Sequence, residues 1–209
     1  MKRENLVIAI EGMDGVGKTT IAKMLAEDYS FKYIEKPLSY IFDTKILSGN
    51  INLREISKNI YNFNDEILKA WFFGLGNLYT ILKYEGEDLI IDRHFVSNYF
   101  WNGNERSNRV FQVMIDLIGK PDLTVILYAS PKTRMKRIYA RNKNDYDLTD
   151  QEKQVDGYDK MIAFVNDFQL PYVIVNTENK SMDEVYQEVT NIIQDLKKRK
   201  HDKVLIKNS

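Results

Sequence analysis

The stretch Glu11-Gly12-Met13-Asp14-Gly15-Val16-Gly17-Lys18-Thr19-Thr20 constrains this chain more than any other. From Gly12 to Thr19 it carries the complete pattern G-x-x-x-x-G-K-[ST]. The apolar run Leu6-Val7-Ile8-Ala9-Ile10 before it suits a buried strand, and Ile21, Ala22, Leu25 and Ala26 after it recur at helical spacing. Strand, glycine loop and helix in that order form a phosphate-binding unit. The glycines let successive backbone N–H groups curl round a phosphate chain, and a helix beginning near Lys18 adds unpaired donors and the positive end of its dipole. The four fixed positions coincide by chance about once in 10⁴–10⁵ starting points, so nucleoside triphosphate binding outweighs a plain glycine turn. Lys18 is the loop's cation for the outer phosphates, and the Thr19 hydroxyl is a ligand for Mg²⁺. With Gly12, Met13, Asp14, Gly15, Val16, Gly17 and Thr20 they are the expected ATP-binding residues.

The rest of the chain bounds the setting. At 209 residues it suits one α/β domain, 1–209, large enough to bury a full core without staples. Lys plus Arg and Asp plus Glu are 30 each, so no global charge draws it to nucleic acid or to a membrane surface. The absence of cysteine excludes disulfides, thiolate metal sites and cysteine nucleophiles, and fits a reducing compartment. The apolar run near the N-terminus is too short for a signal-peptide core or a membrane span. A soluble, cytoplasmic protein is expected.

Taken in order, Phe31-Lys32-Tyr33-Ile34 reads as a second strand that stops at Glu35-Lys36-Pro37. Residues from Ile41 to Ile60 read as two short helical pieces joined by a turn at Gly49-Asn50. Asn64 to Tyr84 reads as a longer helix with Ile67, Trp71, Leu75 and Leu78 on one face and Leu82 beyond them. Gly74 and Gly76 each cost that helix about 1 kcal/mol against alanine, which points to close packing or room for a ligand. Asp88 to Ile91 is a third strand, Leu123 to Tyr128 a fourth and Tyr172 to Val175 a fifth. Ser130-Pro131 opens a helix as N-cap and first residue. Asn142 to Thr149 is polar and turn-rich and reads as a mobile loop; Val155, Tyr158, Ile162 and Val165 then restore a helix, and Met182 to Lys200 forms the last. The basic tail from Lys197 to Ser209 reads as a frayed, solvated end. Alternating strands and helices at this spacing imply a parallel sheet covered by helices on both faces.

Asp92-Arg93-His94 ends the third strand, on the sheet edge where ligands bind in open α/β folds. Asp92 there is the second acidic partner for Mg²⁺, and Arg93 is placed to clamp a phosphate. Arg134, Arg137 and Arg141 recur at i, i+3 and i+7 as a solvated basic stripe leading into the loop near 142–150. A basic lid closing over the triphosphate accounts for that pattern, with Arg137 and Arg141 reaching ATP. His94 and His201 have no histidine neighbours in sequence and carry no metal or triad role.

These segments resemble the thymidylate kinase family of nucleoside monophosphate kinases. The resemblance is carried by Glu11 to Thr20, by Asp92-Arg93-His94 with Ser97-Asn98 and Trp101-Asn102-Gly103, by Pro121-Asp122-Leu123-Thr124, and by the helix through Arg137 to Arg141. It implies a P-loop fold with a five-stranded parallel sheet in the order 2-3-1-4-5, and a homodimer packed through helices. It implies transfer of the ATP γ-phosphoryl group to a deoxynucleoside monophosphate, most simply dTMP to dTDP. Asp14 resembles the loop acid near the acceptor's sugar and phosphate, Arg93 the acceptor-phosphate clamp, Phe73 the aromatic that stacks on the base, and Asn98, beside Ser97, a reader of the base edge. Trp101 takes the place of an aromatic that lies against the sugar. Position 15 is glycine, so the arginine that one branch carries in the loop is absent, and Arg137, Arg141 or Lys143 would supply its charge.

The chain departs from the family pattern twice. Glu35-Lys36-Pro37 stands where the family has Arg-Glu-Pro, so Lys36 would reach the acceptor phosphate instead. Asn77 stands where a helix arginine addresses the thymine carbonyl. Two rival readings accompany the monophosphate kinase. One is a deoxynucleoside kinase with Glu35 as general base; the other is a nucleotide-dependent switch or regulatory ATPase with no small acceptor, which would need no base pocket.

Overall fold

The computed structural model describes residues 5–41, 53–145, 148, 149 and 156–207, with side chains described as far as residue 200. Five parallel strands, β1 (Val7–Gly12), β2 (Lys32–Glu35), β3 (Leu89–Asp92), β4 (Leu123–Tyr128) and β5 (Tyr172–Asn176), pair in the order β2-β3-β1-β4-β5. This is the order that the sequence resemblance implies. The central strands are buried on both faces because alternate residues feed different cores. Val7, Ile34, Leu89, Ile91 and Ile126 pack under α3 (Glu66–Lys83), α4 (Phe95–Asn102), α5 (Asn108–Ile118) and α7 (Tyr158–Asp167). Ile8, Ile10, Ile90, Val125 and Leu127 pack under α1 (Lys18–Tyr29) and α8 (Met182–Lys207).

Register brings the carboxyl ends of three strands together: Ile10 and Glu35 both lie level with Asp92. The phosphate loop, Glu35-Lys36 and Asp92-Arg93 therefore share one edge of the sheet. The remaining α-helices among the described residues are α2 (Leu53–Phe63) and α6 (Pro131–Arg141). Ser130 caps α6 as its sequence suggests, accepting from the Thr133 N–H at 3.3 Å ahead of Pro131.

Several sequence expectations are corrected. The helix expected from Asn64 begins at Glu66: Asn64 turns the chain at φ 54° between α2 and α3, and the Asp65 side chain caps α3 through the Leu68 N–H at 2.9 Å. Helices α4 and α5 fill the stretch between β3 and β4 that its sequence left without assignment. Within α3, Trp71, Leu75 and Leu82 share a face as expected, but that face is exposed; Ala70, Gly74, Asn77 and Ile81 form the buried one. Gly76 is there for close packing, since a Cβ would meet the Leu38 backbone nitrogen at 2.3 Å. The basic tail is no frayed end up to Lys207. There α8 continues, Lys197 lies over the rings of Tyr29 and Phe31, and Lys200 donates to the Asn5 carbonyl and the Asp122 carboxylate. The Gly49-Asn50 turn and Val155 lie outside the described residues.

Candidate active site

The loop sits where β1 gives way to α1. Gly12, Gly15 and Gly17 take φ of 128°, 86° and 98°, the left-handed region that side chains resist. Met13 and Val16 alternate with them and turn their side chains wholly into the core, so only their backbone is left to meet a nucleotide. Lys18 folds back over the loop and donates to the Met13 carbonyl at 2.7 Å. Its ammonium lies 3.6 Å from the Asp14 carboxylate, which also pairs with Arg93. One carboxylate thus holds two cations where a phosphate would need them.

Burial, with Arg93 as a second cause, pulls the Lys18 ammonium down to about 8, against the opposing pull of Asp14, Asp92 and Glu11. Burial also works against the Arg93 charge, but Asp14, Asp92 and Glu11 more than offset it and hold that guanidinium firmly protonated.

Arg93 is a non-glycine residue at φ 74°, a conformation that costs about 1–3 kcal/mol and persists only where neighbours impose it. Its N–H donates to the Ile10 carbonyl at 3.1 Å and its guanidinium pairs with Asp14, while the residues that follow it are tied down by Glu11. Glu11 is fully buried and accepts from the backbone N–H groups of His94 at 2.8 Å, Val96 at 3.1 Å and Ser97 at 3.2 Å, and from the Ser97 hydroxyl. It thereby supplies the acceptor that the His94 side chain does not provide at the start of α4. Burial raises the Glu11 carboxyl above the ordinary carboxylate range, and those donors and Arg93 pull it back only in part. Glu11 was not among the expected site residues. The available signal was an acid placed directly after the apolar run from Leu6 to Ile10.

Asp92 accepts from the Thr19 hydroxyl at 2.5 Å through one oxygen. Its other oxygen, Oδ1, is buried without a hydrogen-bond partner among the described residues. A hydroxyl and an uncompensated carboxylate oxygen side by side are hard ligands of the kind Mg²⁺ takes, with phosphate and water completing the shell. Among the described residues no three His, Cys, Asp or Glu side chains cluster as a metal cage. The donor set therefore fits a cation carried in with a nucleotide.

A cleft of about 820 Å³ opens over these groups. Asp14, Gly15, Gly17, Lys18, Thr19 and Thr20 line one side; Glu35, Lys36, Asp92 and Arg93 line the other, and Arg137, Arg141 and Lys180 the rim. Lys36 is exposed at φ 50°, and Glu35 accepts from the Tyr33 hydroxyl at 3.3 Å.

The expected arginine stripe is not uniformly solvated. Arg137 donates to the Thr177 hydroxyl and carbonyl at 2.9 and 2.7 Å, and exposed Arg141 pairs with Asp145 at 2.6 Å. Arg134 is 0 % exposed, beneath the loop. Of the expected lid, residues 146, 147 and 150 lie outside the described residues. The 142–145 part is a chain of turns that bond back to Asn142.

The remaining expected substrate residues lie apart from this cleft, on α3 and α4. Half-buried Phe73 lies tilted against Tyr61 and edge-on to Phe72, each at 5.1 Å between ring centres. Half-buried Trp101 meets Phe100 edge-on. Asn98 spends its amide on the Ala70 carbonyl at 3.2 Å and on Asn102 at 3.0 Å. Asn77 is buried, with its Nδ2 lacking a hydrogen-bond partner among the described residues.

Comparison with known proteins agrees with this geometry. Residues 10–189 match the model of the family described as thymidylate kinase. A Methanococcus maripaludis protein named "Probable thymidylate kinase" is 30% identical over 201 residues, covering 91% of this chain and 96% of that one. Among solved structures, deoxyadenosine kinase from M. mycoides with bound dATP superimposes with a TM-score of 0.63 at 16% identity, covering 91% of this chain and 100% of that one. Thymidylate kinase from Ehrlichia chaffeensis does so with a TM-score of 0.57 at 18% identity, covering 91% and 98%. With the family model matched over most of its length, and with the loop, the Asp92-Arg93 edge and the sheet order in place, the chain belongs to the thymidylate kinase family.

Proposed function

We propose that the chain transfers the γ-phosphoryl group of MgATP to a pyrimidine deoxynucleoside monophosphate, with dTMP the preferred acceptor. The observation that carries this reading is the single Asp14 carboxylate holding Lys18 and Arg93 at the floor of one cleft. Phosphoryl transfer asks mainly for positioning and for charge placed where the transferring group and its two oxygens will lie. Lys18 and the loop N–H groups face the donor phosphates. Arg93 and Lys36 hold the acceptor phosphate across the cleft, and Asp14 keeps both cations in place. Thr19 and Asp92 would hold Mg²⁺, which neutralises phosphate charge when bound. Arg137 and Arg141 supply positive charge from the rim.

On the acceptor side, Phe73, Trp101, Ser97 and Asn98 form the base and sugar wall, with Asn77 in place of an arginine. An amide both donates and accepts, so Asn77 discriminates weakly between thymine and cytosine. The chain's place is the cytoplasm; no helix of the described residues is long and apolar enough to cross a membrane. The exposed Trp71, Leu75 and Leu82 of α3, with Val113 and Leu117 of the adjacent α5, form the face of a homodimer. Sedimentation of Leu75→Glu tests that face, and an unchanged mass would exclude it.

The decisive assay is ADP release with a panel of nucleosides and monophosphates against a no-acceptor control. Turnover with dTMP well above thymidine supports the reading. The reverse, abolished by Glu35→Gln, would establish a nucleoside kinase. Equal turnover without acceptor would establish an ATPase.

A further inference from the structure

Arg134 has no part in the reading above, yet among the described residues it heads the fully buried side chains by size. Removing a guanidinium from water costs several kcal/mol per ion, so its place in the fold calls for a return.

Its Nη1 donates to the Asp14 carbonyl oxygen at 3.4 Å, from behind the phosphate loop. Its backbone presses on the same loop: a Cβ on Gly15 would lie 2.8 Å from the Arg134 carbonyl oxygen and 3.1 Å from its Cα. Burial lowers the guanidinium's proton affinity, and Tyr158, Asp156, Asp14 and Tyr128 work against that loss.

No peptide bond among the described residues is cis. In a trans peptide the carbonyl and the following N–H point in opposite directions. The Asp14 carbonyl that faces Arg134 therefore turns the Gly15 N–H the other way, toward the cleft that Asp14, Gly15 and Gly17 line. Gly15 stands at φ 86° and, lacking a Cβ, can adopt either orientation of this peptide at little steric cost. A hydrogen bond to the carbonyl selects one orientation, and it polarises the peptide so that its N–H becomes a better donor.

We propose that Arg134 is a positioning residue for the ATP phosphates, holding the Asp14–Gly15 peptide with its N–H turned into the cleft and a fixed positive charge beneath it. The role rests on the loop being the ATP site. It differs from the roles of Arg137 and Arg141, which reach the cleft itself. A merely structural arginine would behave otherwise: its loss would lower stability, because the groups it pairs with stay buried, but would leave the ATP affinity of the folded variant unchanged.

The test compares wild type with Arg134→Met and Arg134→Lys by thermal melting, calorimetric binding of ADP and MgATP, and KM for both substrates. Arg134→Met is expected to melt below the wild type, since it leaves the partly buried Asp14 carbonyl without its donor, and in its folded form to bind ATP about tenfold more weakly, as loss of one charge-assisted contact predicts. Its KM for dTMP should move less than about twofold, and Arg134→Lys should return ATP affinity to within about threefold of wild type. Should Arg134→Met not fold, Arg134→Gln takes its place, keeping a donor but no charge, with about threefold weaker ATP binding expected. Wild-type ATP affinity in a folded neutral variant overturns the role, as do equal losses for both substrates. A wild type that binds no ATP overturns the functional reading and this role together; normal wild-type binding with an unaffected variant overturns this role alone.

Discussion

The two walls of the cleft are built on different terms. On the phosphate-loop wall the chemistry comes from one continuous stretch, Gly12 to Thr20, fixed by glycine conformations, backbone N–H groups and the start of α1. Opposite, the chemistry is distributed: Glu35 and Lys36 leave β2, Asp92 and Arg93 leave β3, and α3 packs against the turn that follows β2. The first wall is local and preformed. The second exists only as well as three elements pack on one another. A charge removed from the first wall should therefore act on the chemical step, whereas changes in the second should act on stability and on acceptor binding.

The largest effect expected is on the loop wall. Lys18→Ala should lower kcat at least about a hundredfold, about 3 kcal/mol of barrier, with little change in melting temperature. Turnover near normal in a folded variant would break the contrast at its stronger end.

Gly76→Ala probes the packing of the second wall. The new Cβ meets the Leu38 nitrogen and Cα at 2.3 and 2.6 Å, and both are backbone atoms that cannot swing aside. Overpacking of this kind costs about 1–3 kcal/mol, more than the roughly 1 kcal/mol that alanine returns to a helix. Denaturant unfolding should show a net loss, and a stabilised variant would mean that the turn after β2 is not held by α3.

At the junction of the walls, Lys36→Ala should raise the acceptor KM about tenfold, the value of one charged phosphate contact, and Glu35→Gln should change kcat by less than about fivefold. A kcat collapse in Glu35→Gln instead, by the 10²–10⁴-fold typical of a general base, would move the chemistry onto the second wall.

The smallest effect is one of pH. With burial pulling the Lys18 ammonium down to about 8, kcat/KM for ATP should be about halved near pH 8 and fall further above it. Phosphate binding restores the proton affinity, so calorimetry near pH 8 in buffers of different ionisation enthalpy should show proton uptake, absent in Lys18→Ala. For folding, the native state binds fewer protons than the unfolded chain between about pH 8 and 10.4, the ordinary lysine value. The Lys18 contribution to stability should therefore become more favourable as pH rises through that window.

How much was legible follows the same division. The strands, the phosphate loop, the Ser130 cap and the alternation that implies a parallel sheet are written in neighbouring residues, and all stand in the structure. The polarity of α3 was not legible. Spacing identified a face bearing Trp71, Leu75 and Leu82, but nothing local says whether an apolar face meets the core or a partner. Nor was the fate of the basic tail, because Lys197 and Lys200 find Tyr29, Phe31 and Asp122 only after the chain has doubled back.

By itself the sequence determined the fold class and the phosphate loop, because hydrophobic period and glycine spacing act over a few residues, and its resemblance over four segments pointed to the family. Tertiary structure alone decided what the charged residues do. Arg134, Arg137 and Arg141 look alike along a helix, yet one lies buried beneath Asp14, one holds Thr177 and one pairs at the surface with Asp145. Glu11 became a cap for α4 because β1 ends beside β3, more than eighty residues away in the chain. A charge takes its energy from burial and from partners distant in sequence, and neither exists until the sheet has formed.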